Sequence, residues 1–234
     1  MPDDRVLLIT GASTGIGAAT ARHAAQAGWR VVLAARSEDK LKSLAEELGD
    51  GERAIAQRCD VAVWEDQEAL VKAALDAFGQ VDAVFANAGF GAKRGFLEET
   101  PEFWKAMVDT NVTGCAYTIR ATLPHLKERG MGHYVLTSSV AGRRALPGSL
   151  YAATKHAVGA IGEGLRQELR NDEATRAIRV TLIEPGMVDT PFFENRPQSA
   201  LEADDIARAV LYALEQPDHV DVNEILIRPT AQPT

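Results

Sequence analysis

Two residues four positions apart carry the plainest chemistry in the chain. Tyr151 and Lys155 stand in Tyr151-Ala152-Ala153-Thr154-Lys155, and on a helix that spacing puts both side chains on one face. A free tyrosine has a pKa of about 10, too high for easy proton transfer at neutral pH. A neighbouring ammonium favours the phenolate and lowers that value, which makes the tyrosine a usable general acid or base. An ordinary helix surface carries such pairs too, so context decides between the readings. Ser138 and Ser139 lie a short loop upstream, hydroxyls of the kind that hold a carbonyl oxygen.

A second constellation sits near the N-terminus. The apolar run Leu7-Leu8-Ile9-Thr10 ends in Gly11, Gly15 and Gly17, with Ala12, Ser13, Thr14 and Ile16 between them. Helical apolar spacing follows from Ala18 to Ala27. Strand, tight turn and helix in that order aim unpaired N–H groups and the positive end of a dipole at the turn. Glycine lets a phosphate approach the backbone, so a pyrophosphate fits there. A Walker-type loop ends in Gly-Lys-Ser/Thr, but Ala18 follows Gly17, which argues against an NTPase. Tight strand-to-helix turns also use glycines without any ligand, so the rest of the chain must carry the case.

Apolar runs of strand length alternate with helical patterns. Strands are expected at 6–10, 30–35, 54–58, 81–86, 133–137, 179–184 and 224–227. Helices are expected at 15–27, 38–48 (N-cap Ser37), 65–78 (closed by Gly79), 101–128 (N-cap Thr100, Pro124 near its end), 151–170 and 203–215. This alternation predicts an α/β fold with a parallel sheet covered by helices on both faces. No linker, repeat or low-complexity run divides residues 1–234, so one domain is expected. Such sheets bind ligands beyond the carboxyl ends of their strands. The residues to read are therefore those just past each strand.

After the second strand the chain reads Ala34-Ala35-Arg36-Ser37, where a dinucleotide fold often places an acid for the ribose 2′-hydroxyl. A guanidinium there can fork onto a 2′-phosphate, which favours NADP over NAD. Arg36 reads equally well as a solvated arginine. Past the third strand come Asp60 and Val61; the carboxylate can accept from an adenine amino group or simply close a loop. Asn87, Ala88 and Gly89 place small residues where backbone passes close to a ligand, or make an ordinary turn.

Composition sets bounds on partners. The 234 residues carry 25 Lys and Arg against 33 Asp and Glu, a net charge of −8, which argues against a broad nucleic-acid or anionic-membrane surface. Cys59 and Cys115 stand apart with no CxxC pattern, so buried thiols are expected and neither a metal nor a disulfide. No run approaches the roughly 18 apolar residues of a membrane span, and the N-terminus lacks a signal-like apolar region. A cytoplasmic protein is expected.

Six motifs in order resemble the short-chain dehydrogenase/reductase family. They are residues 10–17, Asn87-Ala88-Gly89, Asn111-Val112-Thr113-Gly114, Ser138-Ser139-Val140-Ala141-Gly142, Tyr151-x-x-x-Lys155 and Pro185-Gly186-Met187-Val188-Asp189-Thr190. The resemblance implies one Rossmann-type, doubly wound domain with a seven-stranded, mostly parallel sheet. It implies hydride transfer between NAD(P) and a small alcohol or carbonyl compound, in a homo-oligomer, usually a tetramer. By position, Tyr151 is the acid/base, and Lys155 lowers its pKa and holds the nicotinamide ribose. Both thus also belong to the cofactor site, with Gly11, Ser13, Thr14, Gly15, Ile16 and Gly17. Asn111 fixes a relay water by shaping its helix, and Pro185, Gly186, Val188 and Thr190 bind the carboxamide end. A serine orients the substrate oxygen. Ser138 has the commoner spacing, 13 residues before Tyr151, but motif register favours Ser139, which leaves the loop 143–150 one residue short.

The C-terminal run 221–230 resembles NADP-dependent members acting on 3-hydroxy acids. A substrate loop is expected at 191–201, with Phe192, Phe193, Asn195 and Arg196; Phe90, Lys93 and Arg94 are further candidates for the substrate wall. The competing reading is a non-catalytic NADP-binding sensor or scaffold of the same fold, because fold alone does not prove chemistry.

Overall fold

The computed structural model describes residues 4–146, 150–192 and 198–232. Seven strands form one parallel sheet: β1 (Val6–Thr10), β2 (Arg30–Ala35), β3 (Ala54–Arg58), β4 (Ala83–Ala86), β5 (Gly132–Thr137), β6 (Ile178–Pro185) and β9 (Glu224–Ile227). Their order is β3-β2-β1-β4-β5-β6-β9. Every neighbouring pair runs parallel, so all carboxyl ends open on one edge. The switch from β1–β2 to β1–β4 marks where an open α/β sheet forms its crevice.

Side-chain alternation sorts the core into two layers. Val6 and Leu8 of β1 face one side, with Leu70 of α3 (Trp64–Phe78), Ile119 of α5 (Gly114–Arg129) and Val158 of α6 (Leu150–Arg170). Leu7 and Ile9 face the other, with Ala21 of α1 (Gly15–Gln26), Leu41 of α2 (Glu38–Leu48) and Val210 of α7 (Ala203–Leu214). Both faces being covered, the strands read as continuous apolar runs. A β-carbon on Gly162 would lie 2.8 Å from Leu182 Cδ2, so helix α6 rests directly on the sheet. That seats Tyr151 and Lys155 against the ends of β5 and β6.

Several expectations are adjusted. The helix predicted at 101–128 is broken: α4 (Pro101–Val108) passes through a π-helical stretch at Asp109–Thr113 into α5, and such wider turns recur at functional sites. Thr100 does cap α4, its Oγ1 accepting from Phe103 N at 3.2 Å. Ser37 precedes α2 but makes no side-chain cap. Strand β4 begins at Ala83, because Asp82 Oδ2 takes the Val6 N–H at 2.7 Å. A two-residue pair, β7 (Val188–Asp189) with β8 (Leu201–Glu202), is too short to leave a periodic signal. Cys59 and Cys115 are buried free thiols, whose pKa values burial pushes up to about 12.

His133 lies buried on β5, its Nε2 2.7 Å from Thr181 Oγ1. Burial, with Arg179 nearby, pushes its pKa down to about 3. The folded value lies below the unfolded one, so its contribution to stability is present above about pH 6.5 and lost as pH falls. Acidification below pH 6.5 is therefore expected to cost up to about 1.4 kcal/mol per pH unit through this group. Thermal melting of parent and His133→Gln between pH 7 and pH 5 checks this: the variant should melt with a shallower dependence on pH, and equal slopes would refute it.

Candidate active site

The carboxyl edge of the sheet opens into a cavity of about 560 Å³. Its two halves come from different parts of the chain. One is walled by the turn after β1 and by the residues following β2 and β3; the other by the segments after β4, β5 and β6 together with α6.

Ser138 and Ser139 leave β5 just before a 3-10 turn at Val140–Gly142. Their hydroxyls do different things. Ser138 Oγ donates to the carbonyl of Lys155 at 3.0 Å, and a β-carbon on Gly142 would lie 2.5 Å from that hydroxyl. Ser138 is thereby fastened into the packing beneath α6. Ser139 Oγ accepts from Ala141 N at 3.1 Å and lies 3.3 Å from the Pro185 carbonyl. The same hydroxyl acts on the Tyr151 phenol, opposing the rise in its pKa that burial causes. Of the two serines, Ser139 is the one that acts on the Tyr151 phenol.

The electrostatics correct a sequence expectation. Lys155 was expected to lower the Tyr151 pKa, but burial pushes that phenol up to about 12, with the Ser139 hydrogen bond opposing the rise. Burial also pushes the Lys155 ammonium down to about 8. Lys155 Nζ donates to the Thr137 carbonyl at 2.8 Å and stands 5.7 Å from the Tyr151 ring centre. Desolvation is the largest cause of both shifts. Tyr151 holds its proton at neutral pH, which suits an acid.

Asn111 sits in the π-helical stretch, almost wholly buried. Its amide donates to Phe90 O at 2.9 Å and to Thr154 Oγ1 at 3.1 Å, and its oxygen accepts from Phe90 N at 3.0 Å. Thr154 Oγ1 in turn donates to the Tyr151 carbonyl at 2.7 Å. The side chain expected to serve a relay water thus ties the segment after β4 to α6.

The other half of the cavity is a backbone cradle. Gly11 and Gly15 hold φ of +67° and +54°, a region L-residues avoid. A β-carbon on Gly17 would lie 2.3 Å from the Gly11 carbonyl. Thr14 enters α1 without a side-chain cap, which leaves the first N–H groups of that helix facing the cavity beside Ser13 and Ile16. Asn87 braces the cradle, its amide donating to Thr10 O at 3.2 Å and its oxygen accepting from Thr137 Oγ1 at 3.1 Å. The small Ala88 and Gly89 line the floor, and a β-carbon on Gly89 would lie 3.0 Å from Asn111 Oδ1. Arg36, Asp60 and Val61 line the far end. Arg36 is exposed and makes no ion pair or hydrogen bond among the described residues. Asp60 Oδ1 accepts from Ala62 N at 3.1 Å, a loop-closing bond that leaves its second oxygen available. Pro185, Gly186, Val188 and Thr190 line the same cavity, and Thr190 packs on Gly15. An uncapped helix start, a cradle that admits no β-carbon and an exposed guanidinium together fit a dinucleotide phosphate.

Phe192, expected on the substrate loop, stacks edge-on against Tyr151, ring centres 5.6 Å apart, and occupies the space a β-carbon on Gly91 would need. Two features escape a reading of the sequence. Gln232 Oε1 accepts from Met187 N at 2.8 Å, bringing the C-terminal segment to the cavity wall. Arg143 Nε forks onto both oxygens of buried Glu184 at 2.8 Å and also pairs with Glu224. That clamp fastens the turn carrying Ser139 to the ends of β6 and β9. The only advance sign was a carboxylate inside the apolar run 178–185. Phe193, Asn195 and Arg196, with residues 147–149, lie outside the described residues.

Comparison with known proteins gives the arrangement a family. The sequence pattern described as "short chain dehydrogenase" matches residues 5–200. An uncharacterized oxidoreductase of Staphylococcus saprophyticus is 40% identical over 232 residues, 97% of each chain. Among solved structures, an alcohol dehydrogenase from the archaeon Thermococcus sibiricus, complexed with 5-hydroxy-NADP, is 34% identical with a TM-score of 0.89, covering 98% of both chains. A short chain dehydrogenase/reductase from Burkholderia phymatum, in complex with NAD, is 30% identical with a TM-score of 0.85, covering 96% of this chain and 89% of its own. The chain belongs to the short-chain dehydrogenase family of oxidoreductases.

Proposed function

We propose that the protein is an NADP-dependent oxidoreductase that interconverts a small alcohol, such as a 3-hydroxy acid, and its carbonyl compound. The observation that carries this reading is the meeting of Tyr151, Ser139 and Lys155 on one cavity wall, opposite a backbone cradle for a pyrophosphate. In the reducing direction, the C=O group gains one hydride and one proton. Bound NADPH supplies the hydride and is left as NADP+. Tyr151 gives its phenolic proton to the developing alkoxide while Ser139 holds that oxygen. Lys155 stands beside the phenolate that remains and offers its ammonium to ribose hydroxyls. Asn111 acts as a positioning residue through Phe90 and Thr154. NADPH oxidation with aldehydes, ketones and 3-oxo acids tests the reading. Turnover no higher than that of Tyr151→Phe across the panel would support a nucleotide-binding sensor instead.

Arg36 supports NADP over NAD, because no carboxylate stands at the end of β2 to accept a 2′-hydroxyl. NADPH is expected to bind roughly tenfold or more tightly than NADH, with Arg36→Ala removing most of the difference, the scale of a charge-assisted hydrogen bond. Fluorescence titration of both nucleotides checks this, and equal affinities in the parent would refute it. The chain works, on this reading, as one cytoplasmic domain in a homotetramer. Light scattering should then give a mass near four times 25.2 kDa, and a 25.2 kDa species alone would refute assembly.

A further inference from the structure

The charges lining the cavity are unbalanced for so acidic a chain. Among the described residues, Arg36, Lys155 and Arg94 line it against one carboxylate, Asp60, while the whole protein carries −8. Arg36 and Asp60 lie past β2 and β3, at the nucleotide end. Lys155 is engaged by the Thr137 carbonyl. Arg94 lies at the other end, in the segment after β4 that also contributes Phe90 and Gly91 to the wall.

Arg94 passes up its nearest possible partners. Glu98 and Glu99 follow within five residues, yet Glu99 Oε1 accepts from Lys93 N at 3.1 Å and Glu98 N donates to Gly95 O at 3.3 Å. Arg94 makes no hydrogen bond or ion pair among the described residues. The cavity lining near Tyr151 includes the apolar Phe90, Leu146, Met187 and Phe192 as well as the polar Ser139 and Thr190. Arg94 is exposed at this lining, and a guanidinium without a protein partner there is a fork for one carboxylate.

We propose that Arg94 anchors a carboxylate of the substrate, so that the compound reduced or oxidised at Tyr151 is a short oxo or hydroxy acid with an apolar body. This rests on the oxidoreductase reading and names its substrate class. Rates of NADPH oxidation with 2-, 3- and 4-oxo acids and with their methyl esters, in the parent, Arg94→Gln and Arg94→Lys, test it. The parent should use at least one acid with kcat/KM roughly tenfold to a hundredfold above its ester, the scale of a hydrogen bond to a charged group, mostly through KM. Arg94→Gln should bring that ratio near one, and Arg94→Lys, which keeps the charge without the fork, should keep only part of it. Equal use of acid and ester by the parent, or an undiminished ratio in Arg94→Gln, would overturn the proposal. Titrating the NADPH-loaded protein with butyrate, which has no carbonyl to reduce, separates the two readings. Binding that Arg94→Gln weakens, without turnover of any oxo acid, keeps the anion site and removes the oxidoreductase. Turnover of neutral ketones without Arg94-dependent butyrate binding removes only the anion site.

Discussion

Tyr151→Phe is expected to lower turnover by roughly a hundredfold or more, the range of general acid–base catalysis, while NADPH affinity stays near the parent value. The substitution keeps the ring, and with it the edge-on packing against Phe192, but removes the proton. Burial holds that proton up to about pH 12 in the free protein, so neutral pH leaves the acid loaded. Lys155 sets the upper limit instead. Burial pulls its ammonium down to about 8, so the charge that stabilises a phenolate disappears as pH rises through that value. The rate of carbonyl reduction should accordingly fall above about pH 8. Ser139→Ala should reduce kcat more than Ser138→Ala, because Ser139 meets the phenol and Ser138 is spent on the Lys155 carbonyl. Steady-state kinetics and nucleotide titration of the three variants check this. Near-parent turnover in Tyr151→Phe would show that the acid is misassigned.

Gly17→Ala should weaken NADPH binding by roughly tenfold to a hundredfold, as about 1–3 kcal/mol of overpacking displaces the loop. The new methyl would stand 2.3 Å from the Gly11 carbonyl and 2.9 Å from the Asn87 amide nitrogen. Neither can yield cheaply. Gly11 is itself held at positive φ, its own β-carbon position 2.9 Å from Ala88 Cα, and Asn87 is bonded to β1 and β5. The loop moves, and the N–H groups aimed at the cavity move with it. Gly159→Ala is the matched control, since a β-carbon there meets nothing within 4 Å and alanine favours a helix interior. Nucleotide titration together with melting temperatures separates lost binding from lost folding. A Gly17→Ala protein that binds NADPH as the parent does would mean that the cradle does not hold phosphate.

How much could be read in advance follows from the range of each interaction. The central strands were legible because both faces of the sheet are covered there, so β1, β2 and β4 are nearly unbroken apolar runs. The gathering of Tyr151, Ser139 and the glycines on one edge followed from the rule that carboxyl ends face the ligand. The π-helical stretch was not legible, since Asp109-Thr110-Asn111-Val112-Thr113 carries no breaker and its extra turn answers to Phe90 and Thr154. Nor was the direction of the Tyr151 pKa. The i, i+4 spacing displays the charge of Lys155, but burial depends on elements that the spacing does not contain. The Arg143 clamp joins residues 41 and 81 positions apart, beyond any local pattern.

A chain leaving the ribosome N-terminus first can pair β1, β2 and β3 once Arg58 is made, because these strands are neighbours in the sheet. The other edge of β1 then stays bare until Ala83–Ala86 arrives, and Val6 waits 76 residues for Asp82. From there every addition falls on the same growing edge, β5 on β4, β6 on β5 and β9 on β6. Each step leaves an unpaired parallel edge, the slow and exposed stage of such folds. The glycine cradle can thus take shape on the first half of the chain. The clamp on the serine turn must wait for Glu224. Synthesis therefore lays down the glycine turn for the phosphates long before it completes the place for the reaction.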